Sequence, residues 1–445
     1  MQQHVGPSLN DEVLIDLIPS RVDALVATLD RRIGAQLDEI LHHPAFQQME
    51  RAWRGLALVI ERADFHENIQ IDLLDCSKDA LREDFEEARR PTDGGLVKIA
   101  YTRAVGAGNE PYGALIADYA FGPDPADVRL LQYCAIVGSL AVAPFIAAAS
   151  PAFFGVTRAE DIHRVPSLRE AIERSTSRRW DRFRETEEAR AVGLTVSRFL
   201  LRAPHAQREG EGASFDYTES MADREHLCWG HGSFALATRL TDSFAKHRWC
   251  PNIIGPAGGG MLEGLPDVPG EGATPVDAVF TGELERAVAQ EGLIALVGLP
   301  GGRACFYSAC SAQKPKYYGE TEEGRAAGLT SRLGTRLPYF LMIGRVVQYL
   351  KVVYRSYQHT YESHADAERE LNDWLGQYVS ASGPADAAFL GQRPLRRARV
   401  RIREAESWAE WRQLDFKLRP HFKHRGAFYT LTCENRLETT KPGVR

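Results

Sequence analysis

Apolar residues first fall into register at Val22, Leu25, Val26, Leu29, Ile33, Leu37, Ile40 and Leu41. Steps of three and four draw one stripe along an otherwise polar helix. Ser20 is placed to cap it, with Asp23 three residues on in the capping-box position, and Pro44 stops it. Phe46, Met49, Trp53, Leu56 and Ile60 draw a second stripe directly after. Two amphipathic helices so early need a surface to cover them, in this chain or in another. The residues before them, 1–19, carry no such pattern and read as an arm ending in Ile18-Pro19.

Farther along, short apolar runs alternate with helical periods. Ile69 to Leu74, Leu96 to Tyr101, Ala114 to Ala117 and Phe145 to Ala149 are predicted strands, and 78–89, 126–140 and 166–188 predicted helices. That alternation is an α/β pattern. Loops rich in Gly, Pro or polar residues follow at Ala203 to Tyr217, Gly255 to Thr274 and Lys314 to Gly328, the last separating two units. From about Leu333, Tyr339, Ile343, Val346, Val347, Leu350, Val353 and Tyr354 make a wide buried face, and Arg345, Gln348, Lys351 and Arg355 keep one side polar. A helix starting at Ser363 turns Leu371, Trp374, Leu375 and Tyr378 inward. After a linker over 380–394, three segments alternate with period two. Ala398, Val400 and Ile402 alternate with Arg397, Arg399, Arg401 and Arg403. Leu414, Phe416 and Leu418 alternate with Gln413, Asp415, Lys417 and Arg419, and Tyr429, Leu431 and Cys433 with Thr430, Thr432 and Glu434. Such a run predicts a small antiparallel sheet with one wet, largely basic face.

Composition narrows the class. A chain of 445 residues holds two or three packed units. With 44% hydrophobic and 26% charged residues it is not disordered. No basic segment followed by an apolar run opens the chain, and the most apolar stretch, Leu140 to Ala149, is half of a membrane span. Seven Cys without a CxxC pair, and no Asn-x-Ser/Thr site, point to a reducing cytoplasm. The net charge of −6 conceals an asymmetry: from Arg393 onward 14 Lys/Arg face 6 Asp/Glu, so the tail is basic and the rest acidic.

Chemical motifs thin out on inspection. There is no Gly-Lys pair for a phosphate loop, and neither GxSxG nor HExxH occurs. Gly230-His-Gly232-Ser-Phe-Ala235 matches a dinucleotide fingerprint in form, but charged residues precede it and no ribose-binding acid follows. Gly258-Gly259-Gly260 reads as a tight turn rather than an anion cradle, since no cation lies close in sequence. Cys228 and His231 have ligand spacing without a second pair, so a structural role outweighs zinc. The acids Glu185, Glu187 and Glu188, mixed with Arg182, Arg184 and Arg190, read as a solvated or interface face. Arginines in the tail alternate with aliphatics and lack interleaved aromatics, which favours protein contact over nucleic acid. No catalytic, cofactor or metal site emerges. An unrecognised cytosolic α/β enzyme, or a nucleic-acid binder using the basic sheet, stay as alternatives.

A set of phrases in the chain, taken together and in order, resembles one family. They include Ile40-Leu-His-His-Pro-Ala-Phe46, Trp53-Arg-Gly-Leu56, Glu110-Pro-Tyr-Gly-Ala-Leu-Ile-Ala-Asp-Tyr119 and Ala143-Pro-Phe-Ile-Ala-Ala-Ala-Ser-Pro151. Phe183-Arg-Glu185, Val192-Gly-Leu194, Arg198-Phe-Leu-Leu-Arg202, Trp249-Cys-Pro-Asn-Ile253 and Glu263-Gly-Leu-Pro266 continue the series. Gln313-Lys-Pro-Lys316, Arg336-Leu-Pro-Tyr339, Tyr349-Leu-Lys-Val352 and Leu418-Arg-Pro-His-Phe422 complete it. The chain resembles the TssC (VipB) family, the large contractile-sheath subunit of bacterial type VI secretion systems. That resemblance implies a non-enzymatic, phage-tail-sheath-like subunit of mixed α/β and α+β build. It implies an arm over 1–19, a sheath body with partner-binding helices over 20–325, and a gpW/gp25-like α+β domain over 326–445 ending in the small sheet. It also implies pairing with a smaller TssB-like subunit and helical polymerisation around an Hcp tube. A baseplate contact, disassembly by ClpV mainly through TssB, and terminal arms exchanged as added strands complete the implied set. No cofactor, nucleic acid or membrane insertion is expected. On this reading Val22, Leu25, Leu29, Ile33, Leu37 and Trp53 meet the small partner. Arg397, Arg399, Val400, Arg401, Ile402 and Arg403 serve strand exchange or tube contact.

Overall fold

A computed structural model describes residues 19–103, 110–176, 178–206, 215, 217–270, 274–357, 364–380, 389, 392–404, 411–421 and 431–438. Helix α1 (Pro19–Leu41) takes Ser20 into its first turn, and α2 (Pro44–Arg62) follows a one-turn break. His43 caps α2 by accepting from the Ala45 amide, and Pro44 sits in the first turn, where a missing N–H costs nothing. Helix α3 (Lys78–Glu87) is capped by Ser77.

The centre of the body is a β–α–β unit. Strand β1 (Leu115–Phe121) and β2 (Phe145–Ala149) are parallel and are joined by helix α4 (Pro125–Ala141). Asp124 caps α4 through the Ala126 and Asp127 amides. Val128, Leu130, Leu131, Tyr133, Cys134, Ala135 and Val137 are buried, and Pro125, Ala126, Arg129 and Ser139 are the exposed positions of that helix. After α5 (Leu168–Ser175) and α6 (Arg178–Glu185), strand β3 (Val192–Thr195) pairs in parallel with β2. A two-stranded ribbon, β4 (Arg198–Leu200) with β5 (Trp229–His231), leads into α7 (Gly232–His247). An antiparallel sheet then orders β6 (Met261–Leu262), β8 (Arg303–Phe306) and β7 (Leu296–Leu299), with helix α8 (Gly282–Gln290) between β6 and β7 in the chain.

Helices α9 (Glu322–Gly334), α10 (Leu337–Tyr357) and α11 (His364–Gly376) precede the closing sheet of β9 (Leu395–Glu404), β10 (Trp411–Pro420) and β11 (Leu431–Glu438). Its order is β11-β10-β9, antiparallel throughout, as the period-two pattern predicts. Val400 and Leu418 are fully buried, whereas Arg397, Arg399 and Arg401 are exposed, so β9 divides into a dry face and a basic wet one.

Trp249, projecting from the body, locks the two parts together. It packs edge-on to Tyr349 and Tyr378 at 6.1 and 5.1 Å between centroids, and Trp374 closes the aromatic group. Gln348 is buried against the body, donating through Nε2 to the carbonyls of Tyr112 and Ala141 at 2.8 and 3.1 Å. Arg345 stacks over Phe244 and Tyr349. The expected polar side of this helix is therefore, at these two positions, a joint to the body rather than a solvated face. A Cβ on Gly344 would lie 2.6 Å from the Val142 carbonyl, so that joint is also too close for any larger residue.

Three other expectations change. Ile69 to Leu74 forms no strand, and Leu73 and Leu74 are exposed. Leu96 to Tyr101 is helical and opens into a π-turn over Lys98–Arg103. The loop expected over Lys314 to Gly328 ends early, because Thr321 caps α9 through the Gly324 amide.

Candidate interaction surfaces

The early helices are held to the body by buried ion pairs. Arg202 lies between Glu50 of α2 and Glu219, with nitrogen–oxygen distances of 2.6 Å to each. All three side chains are nearly inaccessible, so each charge depends on the others. Burial by itself would raise both carboxyls. The bonds from Arg202, with Arg54 at Glu50 and the His205 amide at Glu219, outweigh it and hold both below the usual carboxylate range. Burial, aided by the Glu50 charge, pushes the neighbouring Cys228 thiol up to about 12, which makes it a packed, unreactive group.

A second tie joins Arg51 of α2 to Asp118 of β1 and His231 of β5. Asp118 Oδ1 is 3.1 Å from Arg51 Nε and 2.7 Å from His231 Nδ1. Burial lowers the His231 pKa despite the carboxylate beside it. Asp118 thus engages the Nδ1 side of the His231 ring. Among the described residues no group of three His, Cys, Asp or Glu is placed to hold a metal. The third contact is steric. A Cβ on Gly55 would come 2.4 Å from the Phe234 ring, so α2 meets α7 at backbone distance.

The remaining motifs find structural uses. The charged residues before the dinucleotide-like motif form a short 3-10 turn over Arg224–His226, as the sequence reading expects of a non-strand, and a Cβ on Gly232 would meet the Ser197 carbonyl at 2.9 Å and one on Gly230 would meet Leu201 at 2.7 Å. Those glycines serve packing. Gly259 has φ +88 and would clash with the Asn252 carbonyl, as the tight-turn reading requires. In the acidic–basic run, Arg184 is buried and pairs with Glu291 at 2.8 Å, while Glu187 bonds Arg190 and Lys316 nearer the surface.

Outside these ties lies an uncovered apolar surface. On α1, Val22, Leu25, Val26, Leu29, Ile33 and Ile40 are all exposed, Leu25 by 61%. Leu37 is half-buried, because the last turns of α1 dock: Tyr217 bonds Asp38 at 2.8 Å and its ring lies over Gly34. On α2, Met49, Trp53 and Ile60 face outward, Trp53 by 63%, and Val59 faces the core. A shallow depression at the elbow, lined by Gln36, Glu39, Ile40, His43 and Phe46, connects the two helices. A surface this long is apolar beyond what a soluble fold leaves uncovered by chance.

At the other end of the chain, β9 carries the second group of predicted residues. Arg397, Arg399 and Arg401 face water opposite Arg419, Lys417 and Asp415 of β10. Val400 and Ile402 pack inward with Leu371, Leu375 and Leu418. Arg403 pairs with Gln413 in the ladder. The strand is paired with β10 within the chain, and the Val400 amide, expected to serve a ladder between protomers, is bonded to Asn372 Oδ1. Sequence reasoning missed the Glu50–Arg202–Glu219 and Arg51–Asp118–His231 groups. The one signal for the first group was Arg202, a cation set directly after the apolar run Phe199, Leu200 and Leu201.

Two family models match the chain. One, described as EvpB/VC_A0108, tail sheath N-terminal domain, covers residues 23–313. The other, described as EvpB/VC_A0108, tail sheath gpW/gp25-like domain, covers residues 326–437. The type VI secretion system sheath protein TssC1 of Pseudomonas aeruginosa is 30% identical over 435 residues, 94% of this chain and 86% of that protein. Among solved structures, a sheath tail protein of Desulfitobacterium hafniense overlaps 70% of this chain, at 11% identity and a TM-score of 0.30, and the chain spans 60% of it. The anti-feeding prophage baseplate structure overlaps 85% of this chain and 82% of its own, at 8% identity and a TM-score of 0.35.

Proposed function

The chain belongs to the VipB (TssC) family of type VI secretion sheath subunits, and from that premise we propose that it pairs through α1 and α2 with a smaller TssB-like subunit, the heterodimers polymerising into a helical sheath. Its part is structural. The observation that carries the pairing is the exposed stripe from Val22 to Ile40, continued by Met49 and Trp53, on helices whose other contacts are fixed by buried ion pairs. A partner helix laid along that stripe would bury it as a core does, with aromatic Trp53 as an anchor. Leu37, already half-buried, would contribute least.

The proposal extends to a division into arm 1–19, body 20–325 and C-terminal domain 326–445, supported by two family models that meet between 313 and 326. The sheath would enclose an Hcp tube, contact a baseplate and be taken apart by ClpV through the small subunit, all in the cytoplasm. No described helix is long and apolar enough to cross a membrane. The exposed Arg397, Arg399 and Arg401 row would lie against an acidic tube or neighbouring subunit. Co-expression with the genomic neighbour, followed by electron microscopy, tests the reading. Tubular polymers of a stable two-protein complex are expected. A stable, monodisperse monomer that ignores the neighbour would overturn it.

A further inference from the structure

A three-stranded sheet has two edges, and a subunit that adds strands from neighbours must control which edge accepts them. In this chain the two edges differ. The outer edge of β9 is occupied by groups of its own chain. Asn372 of α11 accepts from the Val400 amide through Oδ1 and donates to the Val400 carbonyl through Nδ2, both at 2.9 Å. Its side-chain amide thereby reproduces the donor and acceptor of one residue of an added strand. Only this orientation of the amide satisfies both bonds. One turn earlier, Glu368 accepts from the Ile402 amide through Oε2 at 3.1 Å. At the start of the strand, Leu395 donates to the Tyr378 carbonyl and accepts from the Ser380 amide, in a parallel bridge. Among the described residues, no strand pairs with the outer edge of β11.

We propose that Asn372 and Glu368 are positioning residues that close the β9 edge to the addition of a strand from another copy of this chain. The inference rests on the sheath reading only for the origin of the incoming strand; the closed edge itself is a property of the isolated chain. The chemistry is that of a side chain standing in for backbone. An incoming strand at β9 would have to displace two bonds at Val400 and one at Ile402. A helix supplies the cap, and α11 is held by Leu371 and Leu375 in the same core as Val400.

Asn372→Ala removes both bonds at Val400, and Ala is the better helix former, so α11 itself should persist. In the full chain, amide exchange at Val400 should quicken roughly tenfold, the loss of one hydrogen bond to a buried strand. Protection of the amides pairing β9 with β10 should stay. Concentration-dependent self-association, read by sedimentation, should rise in the same variant. Asn372→Asp is the graded control: it keeps an acceptor for the Val400 amide but no donor for the carbonyl, and should fall between parent and Ala. Glu368→Ala should quicken Ile402 and leave Val400 protected. The idea is overturned if Asn372→Ala leaves both exchange and self-association at parental values. It is equally overturned if Asp and Ala variants associate alike, since then loss of stability, not an opened edge, is responsible. All readouts use the chain without any partner, so failure to form a sheath would count against the functional reading alone.

Discussion

Helices α1 and α4 are both long and both carry many apolar residues, yet they meet opposite fates. Leu131 in α4 is wholly inaccessible, with neighbours on every side, while Leu29 in α1 stays 56% exposed. The difference lies in pattern rather than content. Helix α4 is apolar around most of its circumference and is roofed by strands, whereas α1 confines its apolar residues to one stripe on a polar rod. An all-round apolar helix finds its partners inside the fold. A striped one leaves its apolar side uncovered in the single chain, the surface proposed above to receive a partner helix.

One substitution made at both places breaks or sharpens that contrast. Leu131→Asp would put a carboxylate at a wholly inaccessible position, in the apolar cluster that holds Val128 and Ala135. Cavity and charge burial together should cost more than about 5 kcal/mol, enough to abolish folding. Urea denaturation or soluble yield checks it, and a folded Leu131→Asp protein would show that α4 is not the core helix described.

The buried ties under α2 give the intermediate case. Arg202→Met leaves Glu50 and Glu219 buried with their principal cation gone, a loss of about 3–5 kcal/mol at neutral pH. The pH dependence has a definite sign. Both carboxyls titrate below their ordinary value in the folded chain, so the stability they contribute is complete above an unfolded pKa of about 4.3 and is lost as pH falls through the folded values. Without Arg202 their pKa values rise, and the neutral acids are cheap to bury. The gap between parent and variant, measured by denaturation at pH 7 and pH 4, should therefore narrow in acid. A gap independent of pH would mean that Arg202 acts by packing alone.

How far this was legible beforehand depends on how local the cause is. The helix of 126–140, the strand at Phe145 and the closing three-stranded sheet follow from period and capping residues next to them in sequence. Leu96 to Tyr101 reads as a strand but turns helical because Asp84, eleven residues before Gly95, accepts from the Gly95 and Leu96 amides at 2.6 and 3.2 Å. No nearby residue announces that cap. The polar side of α10 suggests solvent, yet the Gln348 amide finds carbonyls 236 and 207 residues away in sequence. Asn372 has the same character: one Asn on a helix face says nothing until β9 is placed beside it. The apolar stripes of α1 and α2 were plain from spacing, and only their exposure needed coordinates.

The smallest effect on stability is expected at Leu29, and it carries the most information. Leu29→Asp removes a side chain that touches little and places the new carboxylate in water. Its cost to the isolated chain should not exceed about 1 kcal/mol, mainly the poorer helix propensity of Asp. If the stripe is where a partner helix lies, the same carboxylate would be buried in the complex opposite apolar groups, and binding should weaken by about 2–4 kcal/mol, or roughly 30- to 1,000-fold in affinity. Leu37→Asp, nearer the docked end of α1, should disturb the chain more and the complex less. Thermal melts of the single chain beside co-purification with the small subunit separate the two quantities. Equal binding by parent and Leu29→Asp would remove α1 from the interface and leave its exposed face without the role assigned to it.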